Sequence, residues 1–264
     1  MENVSWGTVQ LECLEKELTI TCQAKGGWFL MNTSVSARTL QAMKAYYQAR
    51  ADEYDESYSR QGRYDQGPER NARWFAELNE VFTVLDAFHL KGEVLELAAG
   101  TGTWTQHLVR SASTITAVDA SPQMLAINRA KVASPRVSYV LADLFSWHPE
   151  RVYDAIFLGF WLSHVPREWL DDYLHSCVAM LHPGGKVFFV DNRRPPDAPV
   201  TPPQGTEQAS QVVVRTLQDG RRFEIVKNLY DVTDLASRCA CAGFDLLVCQ
   251  TPTHFLYGSG TRRR

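Results

Sequence analysis

The sequence predicts an α/β domain built on a doubly wound parallel sheet, and three observations carry that prediction. Short apolar runs, EVLELA, TITAVDA, RVSYVLAD, YDAIFLGF and GKVFFVD, alternate with helical patterns such as SPQMLAINRAKVA and REWLDDYLHSCVAML. Alternation of this kind lays strands side by side in one sheet. The first run breaks into the glycine turn of GTGTWT, an arrangement that lets a ligand approach the backbone at a strand end. Near the C-terminus, FDLLVCQTP and THFLYGSG read as two more strands. Pro252 stands too close between them for a crossover helix, so the last strand is expected to run antiparallel to its neighbour.

Taken in order, residues 1–36 read as an N-terminal extension of uncertain structure, and residues 37–264 as one domain. Within 37–88, LQAMKAYYQARADEYDESY has helical spacing that sets Met43, Tyr46, Tyr47 and Tyr54 on related faces, and PERNARWFAELNEVFTVLDAF is a second amphipathic helix. In the first strand Glu96 is a carboxylate amid apolar residues, costly unless hydrogen bonds or a ligand meet it. Thr101, Thr103 and Thr105 offer caps for a helix beginning near Trp104. Ligands of such sheets lie at the carboxyl ends of the strands, which draws Asp119, Asp143, the 160–164 segment and Asp191 toward one crevice. Over 195–231 a proline-rich loop precedes two β-rich runs around Asp219-Gly220, a hairpin signal, and the helix DVTDLASRCACAG follows.

Composition narrows the function classes. The 264 residues are 45% hydrophobic and 22% charged, ordinary for a globular protein. A net charge of -3 gives no basic field for a nucleic-acid backbone. No run approaches the ~18 apolar residues of a membrane span, and the N-terminus lacks a leader pattern, so a cytoplasmic location is expected. The six cysteines, Cys13, Cys22, Cys177, Cys239, Cys241 and Cys249, include no CxxC pair and are read as reduced, with no metal site.

The segments ELAAGTGTWT, AVDASPQML, VLADLF, YDAIFLGFWLSHV and LHPGGKVFFVD, in that order, resemble the class I S-adenosylmethionine-dependent methyltransferases from about Tyr47 to the C-terminus. The resemblance implies a Rossmann-like seven-stranded sheet with an antiparallel last strand, a hairpin lid inserted over the substrate, and S-adenosylmethionine as cofactor. Asp119, 17 positions after Gly102, then accepts from the ribose hydroxyls, a role its strand-end position supports independently; helix capping beside Ser121 is the alternative. Asp143 takes the adenine amine while Leu144 and Met124 press on the ring. Glu96 orients loop amides or the cofactor's ammonium, or belongs to a structural network. Gly100 and Gly102 give room to the methionine part, and Tyr47, Tyr54, Ala98, Trp104, Ala120 and Phe160 complete the implied cofactor set. Ala98 stands where the family usually has glycine, so a slightly crowded turn is expected.

The substrate side is read from the hairpin. If Gln218-Asp219-Gly220 is a three-residue loop, Val213, Arg215, Leu217, Phe223, Ile225 and Lys227 share one face; a two-residue turn sets Arg215 opposite Glu224 instead. The first register presents two cations to a small anionic acceptor. GFWLSHVP, RTLQDGRRFEIVK and HFLYGSG resemble the phosphonate O-methyltransferases of antibiotic biosynthesis, which implies O-methylation of a phosphonate or carboxylate. Tyr46 and His164 join Arg215 and Lys227 as candidate substrate contacts. His164 is read as a catalytic base or donor, or as a buried, hydrogen-bonded histidine. The alternatives are an N- or C-methyltransferase on a neutral or aromatic small molecule, a nicotinamide-dependent dehydrogenase, or a cofactor-binding module without catalysis. GTGTWT imitates GxGxxG weakly because Thr105 stands at the third small position.

Overall fold

Five strands of the chain, β1 (Glu93–Leu97), β2 (Thr114–Asp119), β3 (Val137–Leu141), β4 (Tyr153–Gly159) and β5 (Leu181–Asn192), pair in parallel. This computed structural model describes residues 35–194 and 211–264. The 1–36 extension falls almost wholly, and the proline-rich stretch 195–210 wholly, outside the described residues, as do Cys13 and Cys22. With β8 (Phe244–Gln250) and β9 (Phe255–Arg262) the strands form one seven-stranded sheet in the order β3-β2-β1-β4-β5-β9-β8. β9 is antiparallel to both neighbours, as its short link to β8 requires. Between β5 and β8 lie the separate hairpin β6 (Val212–Thr216) and β7 (Arg222–Val226) and the helix α7 (Val232–Ala242).

Strand order reverses between β1 and β4, which opens a crevice at their carboxyl ends. Alternate strand residues feed two cores, because successive side chains leave a strand on opposite faces. Leu95, Leu97, Ile156 and Leu158 pack toward α6 (Leu170–Ala179) and α7; Val94, Ala155, Phe157 and Phe188 pack toward α3 (Pro68–Phe88) and the short α4 (Thr105–Leu108). Burying side chains of this size contributes about 1.5–3 kcal/mol each.

The N-terminal helices fold over the crevice. α1 (Ala37–Ala49) starts at Ser36, whose Oγ accepts from the Thr39 backbone N–H at 3.1 Å. The helical pattern suggested one run to about Tyr58, but α1 ends at Ala49 and the chain continues through a 3-10 turn into α2 (Glu56–Ser59). Beyond that break Tyr54 lines the crevice. Met43 and Tyr46 of α1 pack on Leu217, Ile225 and Val226, a third small core joining helix and hairpin. The remaining helix, α5 (Pro122–Val132), is capped by Ser121 Oγ. Cys177 and Cys239 are buried free thiols. Among the described residues no helix is long and apolar enough to cross a membrane.

Candidate active site

The glycine turn after β1 is held by carboxylates, and their hydrogen bonds explain its shape. Asp119, at the end of β2, accepts the Gly100 N–H at 2.9 Å on one oxygen and the Ser121 N–H at 2.8 Å on the other. It therefore ties the turn to the start of α5. Glu96 is 1% exposed, and its Oε2 accepts from the Thr105 hydroxyl at 2.7 Å. Asn128 Nδ2 donates to that same hydroxyl at 2.9 Å and to the Ala99 and Gly100 carbonyls, while the Tyr139 hydroxyl donates to Asn128 Oδ1 at 3.0 Å. Burial pushes the Glu96 carboxyl up to about 8, against the pull of the Thr105 hydrogen bond.

Gly102 and Trp104, expected at the cofactor, are not among the residues that line the crevice, and neither is Glu96, for which an internal network was one of the two expectations. Glu96 serves the internal network; a Cβ at Gly102 would stand 2.8 Å from the Asn128 side chain, so this glycine permits packing rather than ligand approach. Trp104 is buried with its Nε1 donating to the Tyr58 hydroxyl at 2.9 Å. Nor do the threonines cap α4, whose start has no side-chain cap: Thr105 serves Glu96, and Thr101 donates to Asp55 Oδ1 at 2.5 Å. Asp55 also accepts from Lys131 at 2.6 Å, fastening the N-terminal cover to the glycine turn.

The crevice itself is lined by Tyr47, Tyr54, Ala98, Gly100, Asp119, Ala120, Met124, Asp143, Leu144 and Phe160, all of them expected, together with the unexpected Lys44 and Trp161. A Cβ at Gly100 would meet nothing closer than 4.0 Å, so the space above it is open. Ala98 and Phe160, at the ends of β1 and β4, both take left-handed φ, +58° and +54°, a conformation unfavourable for residues with a Cβ. The crowding expected at Ala98 is thus torsional. Asp143 accepts the Phe145 N–H at 3.1 Å on one oxygen and Lys44 Nζ at 2.5 Å on the other. Carboxylates at two strand ends beside Met124, Leu144 and Trp161 suit a group that combines hydroxyls, an amine and a flat ring.

Tyr47, Tyr54, Phe160 and His164 also line a second, larger cavity of about 490 Å³. Its walls carry the cations Arg50, Arg60, Arg63, Arg215 and Lys227, and no carboxylate is among the lining residues. Tyr46 lines it as well. The hairpin brings in its two cations because Arg215 pairs with Phe223 and Val213 with Ile225, around a loop whose Gly220 has φ +86°. Lys227 therefore shares the Arg215 face, and Glu224 faces Val214. The two cations differ in freedom. Lys227 Nζ donates to Ser163 Oγ and Asn192 Oδ1, each at 2.7 Å, and approaches Asp191 at 3.4 Å. Arg215 has no hydrogen-bond or ion-pair partner among the described residues.

His164 sits at the junction. Its Nδ1 lies 2.6 Å from the Val226 carbonyl oxygen, which only accepts, so Nδ1 carries the proton and Nε2 accepts from the Tyr47 hydroxyl at 2.7 Å. Burial, with Lys227 nearby, holds the imidazole down at about 3, while burial raises the Tyr47 phenol well above its usual range. Both groups stay neutral near pH 7, and the histidine nitrogen that a base would use is already engaged. Sequence reasoning missed Arg50, Arg60, Arg63 and Lys44. Arg50 was within reach, since it follows Tyr46 and Tyr47 by one helical turn. Arg60 and Arg63 lie beyond the helix break, where periodicity gives no guide.

Residues 94–185 match the family model described as a methyltransferase domain. The structure is similar to that of DhpI in its SAH complex, at 33% sequence identity, covering 87% of this chain and 99% of that one with a TM-score of 0.70. The DhpI-SAM-HEP complex is similar at 33% identity, 86% and 99% coverage and a TM-score of 0.69. An uncharacterized methyltransferase of Synechocystis sp. is 31% identical over 151 residues, 52% of this chain and 70% of that protein. The malonyl-[acyl-carrier protein] O-methyltransferase 1 of Ilyobacter polytropus is 30% identical over 102 residues, and the match spans only 36% of either chain. With a methyltransferase relative 31% identical and covered over 70% of its length, and DhpI 33% identical and covered over 99%, the chain belongs to the class I S-adenosylmethionine-dependent methyltransferases.

Proposed function

We propose that this protein transfers the methyl group of S-adenosylmethionine to an oxygen of a small acidic acceptor, a phosphonate or a carboxylate. The observation that carries the reading is the cavity beside the cofactor crevice, which among the described residues gathers five cationic side chains and no carboxylate. Likeness to DhpI, which forms a complex with SAM and HEP, agrees with a small acceptor. Asp119 and Asp143 are the residues to hold the ribose and adenine, and Gly100 leaves room for the methionine part. When bound, the cofactor supplies an electrophilic methyl on a sulfonium. An acceptor oxygen that is already anionic needs no base, so the protein's task is alignment and exclusion of water.

Arg215, unpartnered, offers a planar fork to two acid oxygens, and Lys227, anchored by Ser163 and Asn192, adds a fixed point charge. His164 acts by holding the Tyr47 hydroxyl in the wall between the two cavities. Seven aromatic residues also line the acceptor cavity, among them Tyr46, Tyr64 and Trp74, and they favour a second reading, N- or C-methylation of a neutral aromatic molecule. Incubation of the protein with methyl-labelled cofactor and a panel of small acids, phenols and amines separates the two. Label in acids alone supports the proposal; label only in phenols or amines rejects it.

A further inference from the structure

The acceptor cavity holds a cation that one acidic group does not require. Arg60 ends α2 in a left-handed conformation, φ +54°, a place that glycine or asparagine usually fills. Backbone geometry therefore does not explain an arginine here. The residue is 9% exposed, and its guanidinium lies over the Trp74 ring, 4.7 Å from the centroid. Its Nε is buried without a hydrogen-bond partner, and the side chain makes no hydrogen bond or ion pair among the described residues. A guanidinium this buried, with neither a hydrogen bond nor an ion pair, is open to an anion entering the cavity. Arg50 and Arg63, by contrast, donate to the Tyr64 hydroxyl at 2.8 and 3.1 Å, and Arg63 also pairs with Glu53 at 3.4 Å.

Arg60 comes from a different part of the fold than the hairpin cations, the end of α2 stacked on Trp74 of α3. The cavity of about 490 Å³ has the volume of roughly sixteen waters, more than a single small acid fills. We infer that Arg60, stacked on Trp74, forms a second anion subsite, and that the acceptor carries two acidic groups, one reacting near Arg215 and Lys227 and one held by Arg60. This rests on the acidic-acceptor reading above. The shared lining makes the link physical, since Arg60, Trp74, Arg215 and Lys227 all face the same space.

Titration of the protein loaded with S-adenosylhomocysteine against methylphosphonate and 3-phosphonopropionate tests the inference without a variant. The diacid is expected to bind about ten- to a hundredfold more tightly, as a charge-assisted contact provides. Equal affinities overturn the second subsite. The same acids as methyl acceptors give a preference, the ratio of their kcat/KM values, that Arg60→Met should lower about tenfold or more and Arg60→Lys, which keeps the charge, should lower less. An Arg60→Met variant that folds and keeps the wild-type preference overturns the assignment to Arg60. If neither acid binds or is methylated, the acidic-acceptor reading itself fails; if methylphosphonate is methylated and the diacid gains nothing, only the second subsite fails.

Discussion

The crevice at the end of β1 and the cavity behind it share the wall of Tyr47, Tyr54, Phe160 and His164, yet they are built from different parts of the chain and carry opposite charge. The crevice rises from strand ends and presents Asp119 and Asp143, with Lys44 reaching in from α1. The cavity is enclosed by the N-terminal helices and the hairpin and presents arginines, a lysine and aromatic rings. The cationic sulfonium and the proposed anionic acceptor call for opposite surroundings, and this division agrees with that proposal. The sheet fixes the first, and attachments to the sheet shape the second.

The comparison is broken most severely on the carboxylate side. Asp119→Ala removes the acceptor of the Gly100 and Ser121 N–H groups, so calorimetry is expected to show S-adenosylmethionine binding weaker by about two orders of magnitude. Unchanged affinity would detach Asp119 from the cofactor. Next in size is the cationic side: Arg215→Ala should reduce kcat/KM for the acceptor about ten- to a hundredfold and leave cofactor affinity as it was. A parallel loss of cofactor affinity would show that the two cavities are not independent.

A smaller effect distinguishes the two buried titrating groups by sign. The Glu96 carboxyl, raised to about 8 in the fold, contributes stability that is full below its unfolded value near 4.5 and is lost as pH rises toward 8. The slope is at most about 1.4 kcal/mol per pH unit. The His164 imidazole, lowered to about 3, contributes stability present above its unfolded value near 6.5 and lost as pH falls toward 3. Denaturant unfolding of the apoprotein at pH 6 and pH 8 should therefore show Glu96→Gln gaining on the wild type as pH rises. A constant difference between the two proteins refutes the elevated carboxyl. The smallest effect belongs to Ala98→Gly. Relief of the left-handed φ of +58°, offset by the flexibility of glycine in the unfolded chain, should stabilise by about 1 kcal/mol or less, read from the same unfolding curves.

The two regions also differed in how far the sequence disclosed them. The parallel sheet, the antiparallel β9 and the places of Gly100, Asp119 and Asp143 along the crevice were legible because they follow from short apolar runs, a glycine turn and a link too short for a crossover. Asp219-Gly220 narrowed the hairpin to two registers, and the structure takes the three-residue loop that pairs Arg215 with Phe223. For Glu96 the sequence left an internal network and a cofactor contact open, and it placed Trp104 at the cofactor, since a one-dimensional pattern does not reveal that Thr105 and Asn128 return to meet Glu96 or that Tyr58 meets the Trp104 indole. Arg60 and Arg63 follow the break after α1, where tertiary packing with the hairpin, such as the Arg63 contact to the Thr216 carbonyl at 2.5 Å, overrides local spacing. The free state of Arg215 and the anchored state of Lys227 depend on contacts more than thirty residues apart in sequence.

The central claim is that the hairpin cations hold the acceptor as an anion. It is tested most directly by calorimetric titration of methylphosphonate into the S-adenosylhomocysteine-loaded wild type and into the Arg215→Met, Lys227→Met double variant. The account predicts measurable binding to the wild type and a loss of about a hundredfold or more in the variant, as two charge-assisted contacts together imply. Equal affinity in the two proteins, or tight wild-type binding of the neutral dimethyl ester in place of the acid, would contradict it.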